Sequence, residues 1–441
     1  MLTSLPLPLC GCCSSESHCG SVSRDAEPVS CRGRKLLRTT PVKRSIATIF
    51  AALLAFVAFP NAWGQSSSVV KIRTLQIDAS ARPDVGQFAT ADDDVQHLVY
   101  NLYVTNWNDQ DLRFAAVEVL DAATGQRLAR FDRQALEDPF RLRTSRWVSN
   151  KASPANRLFP SGRTAIISLE LKLPSDASLP GAVRHRIEFE SDLSLQLIQD
   201  DGSLSSELVS FSEPMSINRR PPLVIGPPLL GGPWRCGNGL DYRNSHSAIY
   251  ASNKIARFHV PQLFGCDFFK VDAKGNQLPS PFPDMISNSM FYGYLEDVIA
   301  VADGRVVEIK DGIPENVPRA DGRVIMAVPL TDTTVAGNMV SLKIGEGQYA
   351  FYAHLHPGSL RVKVGDRVRR GQLLGKLGNS GNGVGPHLHF HVGSGPGLNT
   401  YDAVPHVYRS YLLSGHGVPD PAKRKRIEFK VPTDNAMVTF P

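Results

Sequence analysis

Long apolar runs are scarce in this sequence, and their scarcity limits its class. Across 441 residues, only the run at residues 46–59 approaches a membrane span, and it is shorter than the roughly 20 residues that a spanning helix needs. We therefore expect no stable membrane span once this run is removed. Hydrophobic residues make up 42% and charged residues 20% of the chain, a balance typical of folded rather than disordered proteins.

The chain also lacks any nucleic-acid-binding motif to accompany its net charge of +6. We therefore expect no nucleic-acid partner. The positive charge would favour contact with an anionic polymer of the cell envelope, although such a surplus is usually only solvated surface. The four basic residues at 423–426 are typical of a solvated tail.

The N-terminus carries the features of an export signal. Lys43 and Arg44 precede the apolar run, and Ala62-Trp-Gly64 supplies the small-x-small pattern of a signal-peptidase site. No cysteine directly follows the run, which argues against a lipoprotein anchor, whereas an uncleaved anchor is the alternative. We interpret residues 1–65 as an N-terminal extension and signal peptide, and expect an exported protein of the periplasm or cell envelope.

Cysteine is concentrated where we expect no folded structure. Five of the seven cysteines lie in residues 1–40, and no set of histidines or aspartates with zinc-finger spacing accompanies them. We expect this segment to be an over-extended start, with translation beginning near Val42. Only Cys236 and Cys266 remain after the signal. In an exported chain they either pair or stay free thiols, and the sequence leaves both possibilities open.

The rest of the chain has an all-β pattern that divides into segments. Short runs of alternating apolar and polar residues, separated by turn residues, predict an immunoglobulin-like β-sandwich over residues 66–218. Residues 219–234 are rich in proline and glycine and are predicted to be a linker. A second β-rich domain is expected over residues 235–412. Residues 413–441 are expected to be a C-terminal tail.

Three histidines at every second position mark a strand in the second domain. A glycine-rich loop ends at Pro386 and leads into His-Leu-His-Phe-His-Val, residues 387–392. Because side chains alternate faces along a strand, His387, His389 and His391 should share one face. Such a row of imidazoles can present metal ligands and proton carriers.

Other stretches could complete a metal site. The run 352–356, Tyr-Ala-His-Leu-His, predicts a strand with Tyr352, His354 and His356 on one face. Asp267 lies among apolar residues, where a carboxylate is costly unless it is paired or bound to metal. His246 is a further possible ligand. Imidazole and carboxylate groups are ligands of zinc, and a catalytic zinc keeps one position open.

Four ordered blocks of this region resemble the M23 zinc metallopeptidases, the lysostaphin-like peptidoglycan endopeptidases. They are Tyr-Ala-His-Leu at 352–355, the block at 362–372, Gly-Asn-Ser-Gly at 378–381 and Gly-Pro-His-Leu-His-Phe at 385–390. The resemblance covers roughly residues 235–410. It implies a rolled antiparallel β-sheet peptidase domain of lysostaphin type.

The resemblance also implies a role for each residue. His389 and Asp267 would bind Zn²⁺. His354 and His387 would stay free of metal, orient or deprotonate the attacking water and stabilise the developing oxyanion.

One feature departs from the family pattern. The family places a histidine four residues before the aspartate, but here that position is Leu263. The first metal ligand is therefore His246 or His259, and we favour His246 because residues 247–260 have the length of an inserted hairpin. His259 lies in a strand-like run, where a structural histidine is common.

The predicted function is that of an exported zinc endopeptidase that cuts peptide cross-links of peptidoglycan, with a regulatory protein as a possible partner. The alternative is a non-catalytic M23-fold regulator or activator of other cell-wall hydrolases. A third interpretation, a biotinyl or lipoyl carrier domain, is disfavoured because the hairpin carries no Met-Lys pair.

Overall fold

The computed structural model describes residues 70–72, 75–81, 88–138, 140–143, 157–192, 195–247, 250–252, 257–279 and 286–441. These residues lie in one compact unit, Gln65–Pro441. The predicted N-terminal extension and signal peptide, with the expected start near Val42, lie outside them. Within the described ranges, no helix is long and apolar enough to cross a membrane. Regular structure there is nearly all β, which confirms the predicted fold class.

The N-terminal part consists of short strands and one helical turn, α1 (Arg133–Leu136). Its strands are β1 (Val70–Ile72), β2 (Ile77–Ala81), β3 (Phe88–Thr90), β4 (Val95–Asn106), β5 (Leu112–Asp121), β6 (Arg127–Phe131), β7 (Leu142–Arg143), β8 (Leu158–Phe159), β9 (Thr164–Pro174), β10 (Ala182–Glu190), β11 (Leu195–Ile198), β12 (Leu204–Ser205), β13 (Leu208–Phe211) and β14 (Met215–Ser216).

Two sheets of this part enclose a common core. One has the strand order β13-β10-β5-β6, with β14 on β10 and β8 on β5. The other has the order β2-β4-β9-β7, with β3 on β4, and a small sheet joins β1, β11 and β12. Alternate residues of both large sheets, such as Leu98, Leu102, Val117 and Ile187, are buried together. Such two-sided packing is that of a β-sandwich, and its immunoglobulin-like type stays a prediction.

The C-terminal part adds the remaining strands and three short 3₁₀ turns, Ser245–Ser247, Asn288–Met290 and Pro421–Lys423. Its strands are β15 (Leu223–Ile225), β16 (Gly231–Gly237), β17 (Tyr250–Ser252), β18 (Arg257–His259), β19 (Cys266–Lys270), β20 (Asp297–Ile299), β21 (Gly304–Lys310), β22 (Val317–Pro318), β23 (Val324–Ile325), β24 (Asn338–Gly345), β25 (Gln348–Leu355), β26 (Arg367–Val368), β27 (Leu373–Lys376), β28 (Leu388–Gly393), β29 (His406–His416), β30 (Lys425–Lys430) and β31 (Ala436–Phe440).

A single large sheet organises this part. Its strand order is β15-β29-β31-β16-β19-β28-β25-β24-β21-β26, with β30 on β29. Its strands pair antiparallel, except for the parallel pair of β15 and β29. One face buries large aromatic side chains, among them Trp234, Phe268, Tyr352 and Phe390. Each such burial stabilises the fold by about 2–3 kcal/mol, so the central strands β19, β28 and β25 form a rigid support.

Two segments differ from their expected roles as linker and tail. Residues 219–234 contribute β15 and most of β16, and residues 413–441 contribute the end of β29 with β30 and β31. Strand β31 pairs with both β29 and β16. Residues 423–426 are exposed, as expected of a solvated segment, but Lys425 and Arg426 begin β30, in which Ile427 is buried. The division of the chain into domains stays a prediction.

The sandwich supports a loop of the C-terminal part. Val99 and Ile166 of the sandwich share a small apolar core with Leu240 and Tyr242. The guanidinium carbon of Arg141 lies 4.0 Å from the centre of the Tyr242 ring. These contacts fix the chain just before the 3₁₀ turn at Ser245–Ser247.

Candidate active site

Strands β19 and β28 place an aspartate beside a histidine on one face of the large sheet. Asp267 lies directly opposite His389 in the antiparallel register. Because neighbours in sequence point to the other face, Phe268 and Phe390 are buried in the core behind them. The Nδ1 atom of His389 lies 2.9 Å from Oδ1 of Asp267.

His246 joins this pair from the 3₁₀ turn. The side chain of Asn244 accepts a hydrogen bond from the backbone amide of His246 at 3.0 Å. This bond gives an acceptor to an amide at the start of the turn. The Nε2 atom of His246 lies 3.4 Å from Oδ1 of Asp267. The rings of His246 and His389 meet edge to face, with centroids 4.8 Å apart.

These three residues fit a zinc ion. One ligand atom from each of His246, Asp267 and His389 lies within 4.8 Å of the others, and all three residues are buried. Two imidazoles and one carboxylate are a ligand set of catalytic zinc sites, where a fourth position stays open. The same metal group does not include His259.

The electrostatics of the site favour an ionised carboxylate. Burial opposes ionisation of Asp267, but His246 and His389 outweigh it and hold the pKa of the carboxyl well below its usual range. Burial also opposes protonation of His246, yet Asp267 raises the pKa of that imidazole. Burial lowers the pKa of His389, which favours the neutral form that a metal requires.

A second carboxamide group touches this cluster. The side chain of Asn238 donates a hydrogen bond to Oδ2 of Asp267 at 2.7 Å. Asn238 has a left-handed backbone, with φ of 52°, a conformation that asparagine tolerates. Sequence reasoning missed Asn238, because nothing in its local sequence marks it.

His354 reaches the site through an irregular backbone. Tyr352 lies on the core face, where it pairs with Phe390 and its hydroxyl accepts from the amide of Val301. The expectation that Tyr352 and His354 share a face was therefore wrong. His354 has φ of 64°, which breaks the alternation and turns its ring towards His387 and His389. Such strain at a non-glycine residue is typical of functional sites.

His354 and His387 are oriented in the same way. Nδ1 of His354 lies 2.8 Å from the carbonyl oxygen of Ser380, and Nδ1 of His387 lies 2.7 Å from that of Gly385. A carbonyl accepts, so each ring carries its proton on Nδ1 and has Nε2 as its basic nitrogen. The two ring centroids are 4.8 Å apart. Burial and the nearby histidines hold the pKa of His354 well below its usual value.

The loop that holds these carbonyls is tightly packed. Ser380 donates from Oγ to the carbonyl of Leu355 at 2.8 Å and accepts from the amide of Asn338 at 2.9 Å. Gly337 approaches so closely that a Cβ atom there would lie 2.3 Å from Oγ of Ser380. Only glycine fits at this contact. The close packing holds the carbonyl of Ser380 in place, and that carbonyl orients His354.

The other three candidate histidines do not belong to the metal group. Nε2 of His259 lies 2.7 Å from the carbonyl of Asn399, as expected of a structural histidine. His356 lies beside Glu315 and Tyr294, with its Nδ1 atom 3.2 Å from Oε1 of Glu315. His391 shares the face of His389, as the alternation predicts, and its Nδ1 atom lies 2.9 Å from Nε2 of His389.

Cys236 and Cys266 form a disulfide bond, which resolves the possibility that the sequence left open. They lie on the neighbouring strands β16 and β19. Cys266 immediately precedes Asp267, so the bond braces the strand that carries the carboxylate.

Comparison with known proteins identifies the region around this site. The family model described as peptidase family M23 matches residues 290–397. The chain carries a peptidase family M23 domain. The matched residues contain His354, His387 and His389, whereas His246 and Asp267 precede them.

Curated relatives of the M23 domain match over short stretches. A peptidoglycan DD-endopeptidase, ShyA of Vibrio cholerae serotype O1, is 39% identical over 72 residues, which are 16% of this chain and 16% of that protein. A glycyl-glycine endopeptidase, ALE-1 of Staphylococcus capitis, is 41% identical over 54 residues, 12% of this chain and 15% of that protein. The chain thus spans about a sixth of the length of these relatives.

Solved structures include the catalytic domain of lysostaphin from Staphylococcus simulans. It is 24% identical and the match covers 30% of this chain and 86% of that domain, with a TM-score of 0.18.

Proposed function

We propose that this protein is an exported zinc-dependent endopeptidase that hydrolyses peptide cross-links in bacterial peptidoglycan. The observation that carries the proposal is the convergence of three ligand-type residues, His246, Asp267 and His389, with two further imidazoles, those of His354 and His387. Curated relatives that cleave peptidoglycan or glycyl-glycine bonds support the substrate class.

We assign the metal site to His246, Asp267 and His389. When bound, Zn²⁺ would supply Lewis acidity towards the scissile carbonyl and the attacking water. Burial of the three residues keeps bulk water away, which strengthens their interactions with a cation.

The proton-transfer steps fall to His354 and His387. With Nδ1 held by a carbonyl, each ring can accept a proton from the attacking water at Nε2 or donate one to the leaving amine. Once protonated, the same nitrogen can stabilise the developing oxyanion. Because the rings are 4.8 Å apart, the two histidines can act on the same reacting group.

These two histidines favour a hydrolase over a non-catalytic regulator, since a regulator has no use for two proton carriers beside a metal site. The predicted export signal at residues 1–65 supports a substrate in the periplasm or cell envelope. A regulatory protein partner stays a prediction.

The test uses purified full-length protein and isolated peptidoglycan sacculi. We expect zinc-dependent release of peptide fragments, detected by mass spectrometry. The His389→Ala variant should lose both its bound zinc and this release. His354→Ala and His387→Ala should keep zinc and lose turnover by about 10²–10⁴-fold, the usual contribution of a general acid or base.

His259→Gln serves as the control, because glutamine can keep the donor to the Asn399 carbonyl. The proposal is wrong if the parent protein binds no zinc, or if His389→Ala releases fragments as fast as the parent.

A further inference from the structure

His391 is a buried histidine that the proposed mechanism does not use. It has no solvent exposure, and its ring stacks on Phe351 with centroids 4.7 Å apart and planes 19° apart. On the backbone side, a Cβ atom built on Gly265 would lie 3.1 Å from Cβ of His391. The ring is thus held in one place by its packing.

The position of His391 matters because of its neighbour. Its Nδ1 atom lies 2.9 Å from Nε2 of His389, while the other nitrogen of His389 faces Asp267 at 2.9 Å. The two nitrogens of His389 therefore have separate partners. One faces the metal group, and the other faces a second imidazole.

A neutral imidazole carries one proton, and a nitrogen that binds a metal cannot carry it. If Nδ1 of His389 binds zinc, the proton must lie on Nε2. An acceptor at hydrogen-bond distance from Nε2 stabilises that tautomer, fixes the ring plane and increases the basicity of the ligand. The Nδ1 atom of His391 is the acceptor that this geometry supplies.

We infer that His391 is a positioning residue of the metal centre, which holds His389 in the tautomer and orientation that bind zinc. The inference rests on the proposed function, since it assumes that His389 is a ligand. In this role His391 touches neither the metal nor the substrate. Replacing His391 should therefore first change the affinity for zinc.

The experiment measures zinc affinity of the full-length protein by competition with a chromophoric chelator. His391→Phe keeps an aromatic ring against Phe351 but removes the acceptor, and should bind zinc 10–100-fold more weakly, the usual effect of losing a partner of a metal ligand. His391→Asn places an amide oxygen near the position of Nδ1 and should bind more tightly than His391→Phe.

His406→Phe is the matched control, because His406 is also buried but its Nδ1 atom faces the carbonyl of Val404. It should bind zinc as the parent does. The visible spectrum of the Co²⁺-loaded protein supplies a second readout, which should change in His391→Phe and stay unchanged in His406→Phe.

The outcomes separate the two proposals. If the parent binds zinc and His391→Phe binds it equally well, the role of His391 is overturned and the proposed function stands. If His391→Asn is as weak as His391→Phe, or His406→Phe is equally weakened, the effect comes from packing and the inference is also wrong. If the parent binds no zinc, both proposals fail.

Discussion

Replacing His246 or His259 distinguishes the two histidines that the sequence offered as the first metal ligand. His246 lies within 4.8 Å of the other ligand atoms, whereas His259 contacts the carbonyl of Asn399. Zinc binding to structural sites in small peptides contributes about 10–16 kcal/mol. The four ligands of such a site each contribute about 3 kcal/mol. We therefore expect His246→Ala to weaken zinc binding by about 3 kcal/mol, a loss of roughly 100-fold or more in affinity.

The same substitution leaves Asp267 without one of the groups that keep it ionised. The pKa of Asp267 should therefore rise in the metal-free variant. His259→Gln should leave both zinc affinity and this pKa unchanged.

The assay is chelator competition at pH 7, with zinc content by elemental analysis and folding checked by circular dichroism. Tight zinc binding by His246→Ala together with zinc loss in a folded His259→Gln would refute the assignment. Equal affinity of all three proteins would show that neither histidine is a ligand.

Two further predictions follow from packing and charge. Gly337→Ala should destabilise the protein by about 2–4 kcal/mol, because the new Cβ would collide with Ser380. If His354 has the proposed role, turnover should also fall, because the collision would move the Ser380 carbonyl that orients its ring. Burial lowers the pKa of His97, but Asp93 and Glu170 outweigh it and raise that pKa to about 9. The protonated ring should stabilise the fold fully below about pH 6.5, and this stabilisation should be lost as pH rises through about 9. Denaturant titrations should show a loss of at most about 3 kcal/mol in the free energy of unfolding.

Matched variants isolate each cause. Gly358 is also left-handed, with φ of 71°, but a Cβ there meets nothing within 4 Å, so Gly358→Ala measures backbone strain without the collision. Equal losses in Gly358→Ala and Gly337→Ala would contradict the packing argument. His97→Gln should remove the pH dependence between pH 6.5 and 9, and an unchanged profile in that variant would contradict the charge argument.

Local sequence was enough to predict the parts of the site that lie within single strands. The alternation of residues 387–392 placed His389 and His391 on one face and Phe390 in the core, because packing against the sheet enforces the two-residue period. The family blocks extended this prediction to His354. The all-β class followed from the same periodicity.

Contacts that depend on several segments could not be predicted in this way. The left-handed backbone of His354 reverses the alternation from Tyr352, and no propensity signals it. Asn238 acquires its partner Asp267 only when β16 and β19 pair. The choice between His246 and His259 depended on how an insertion folds, which the spacing alone leaves open.

Strand β31 has a consequence for the order of synthesis and folding. It lies between β29 and β16, and β16 is in turn the neighbour of the strand that carries Asp267. Until residues 436–440 have left the ribosome, one edge of β16 has no partner, and an unpaired edge is a template for pairing with other chains. Aggregation during refolding should therefore depend on how quickly this strand inserts.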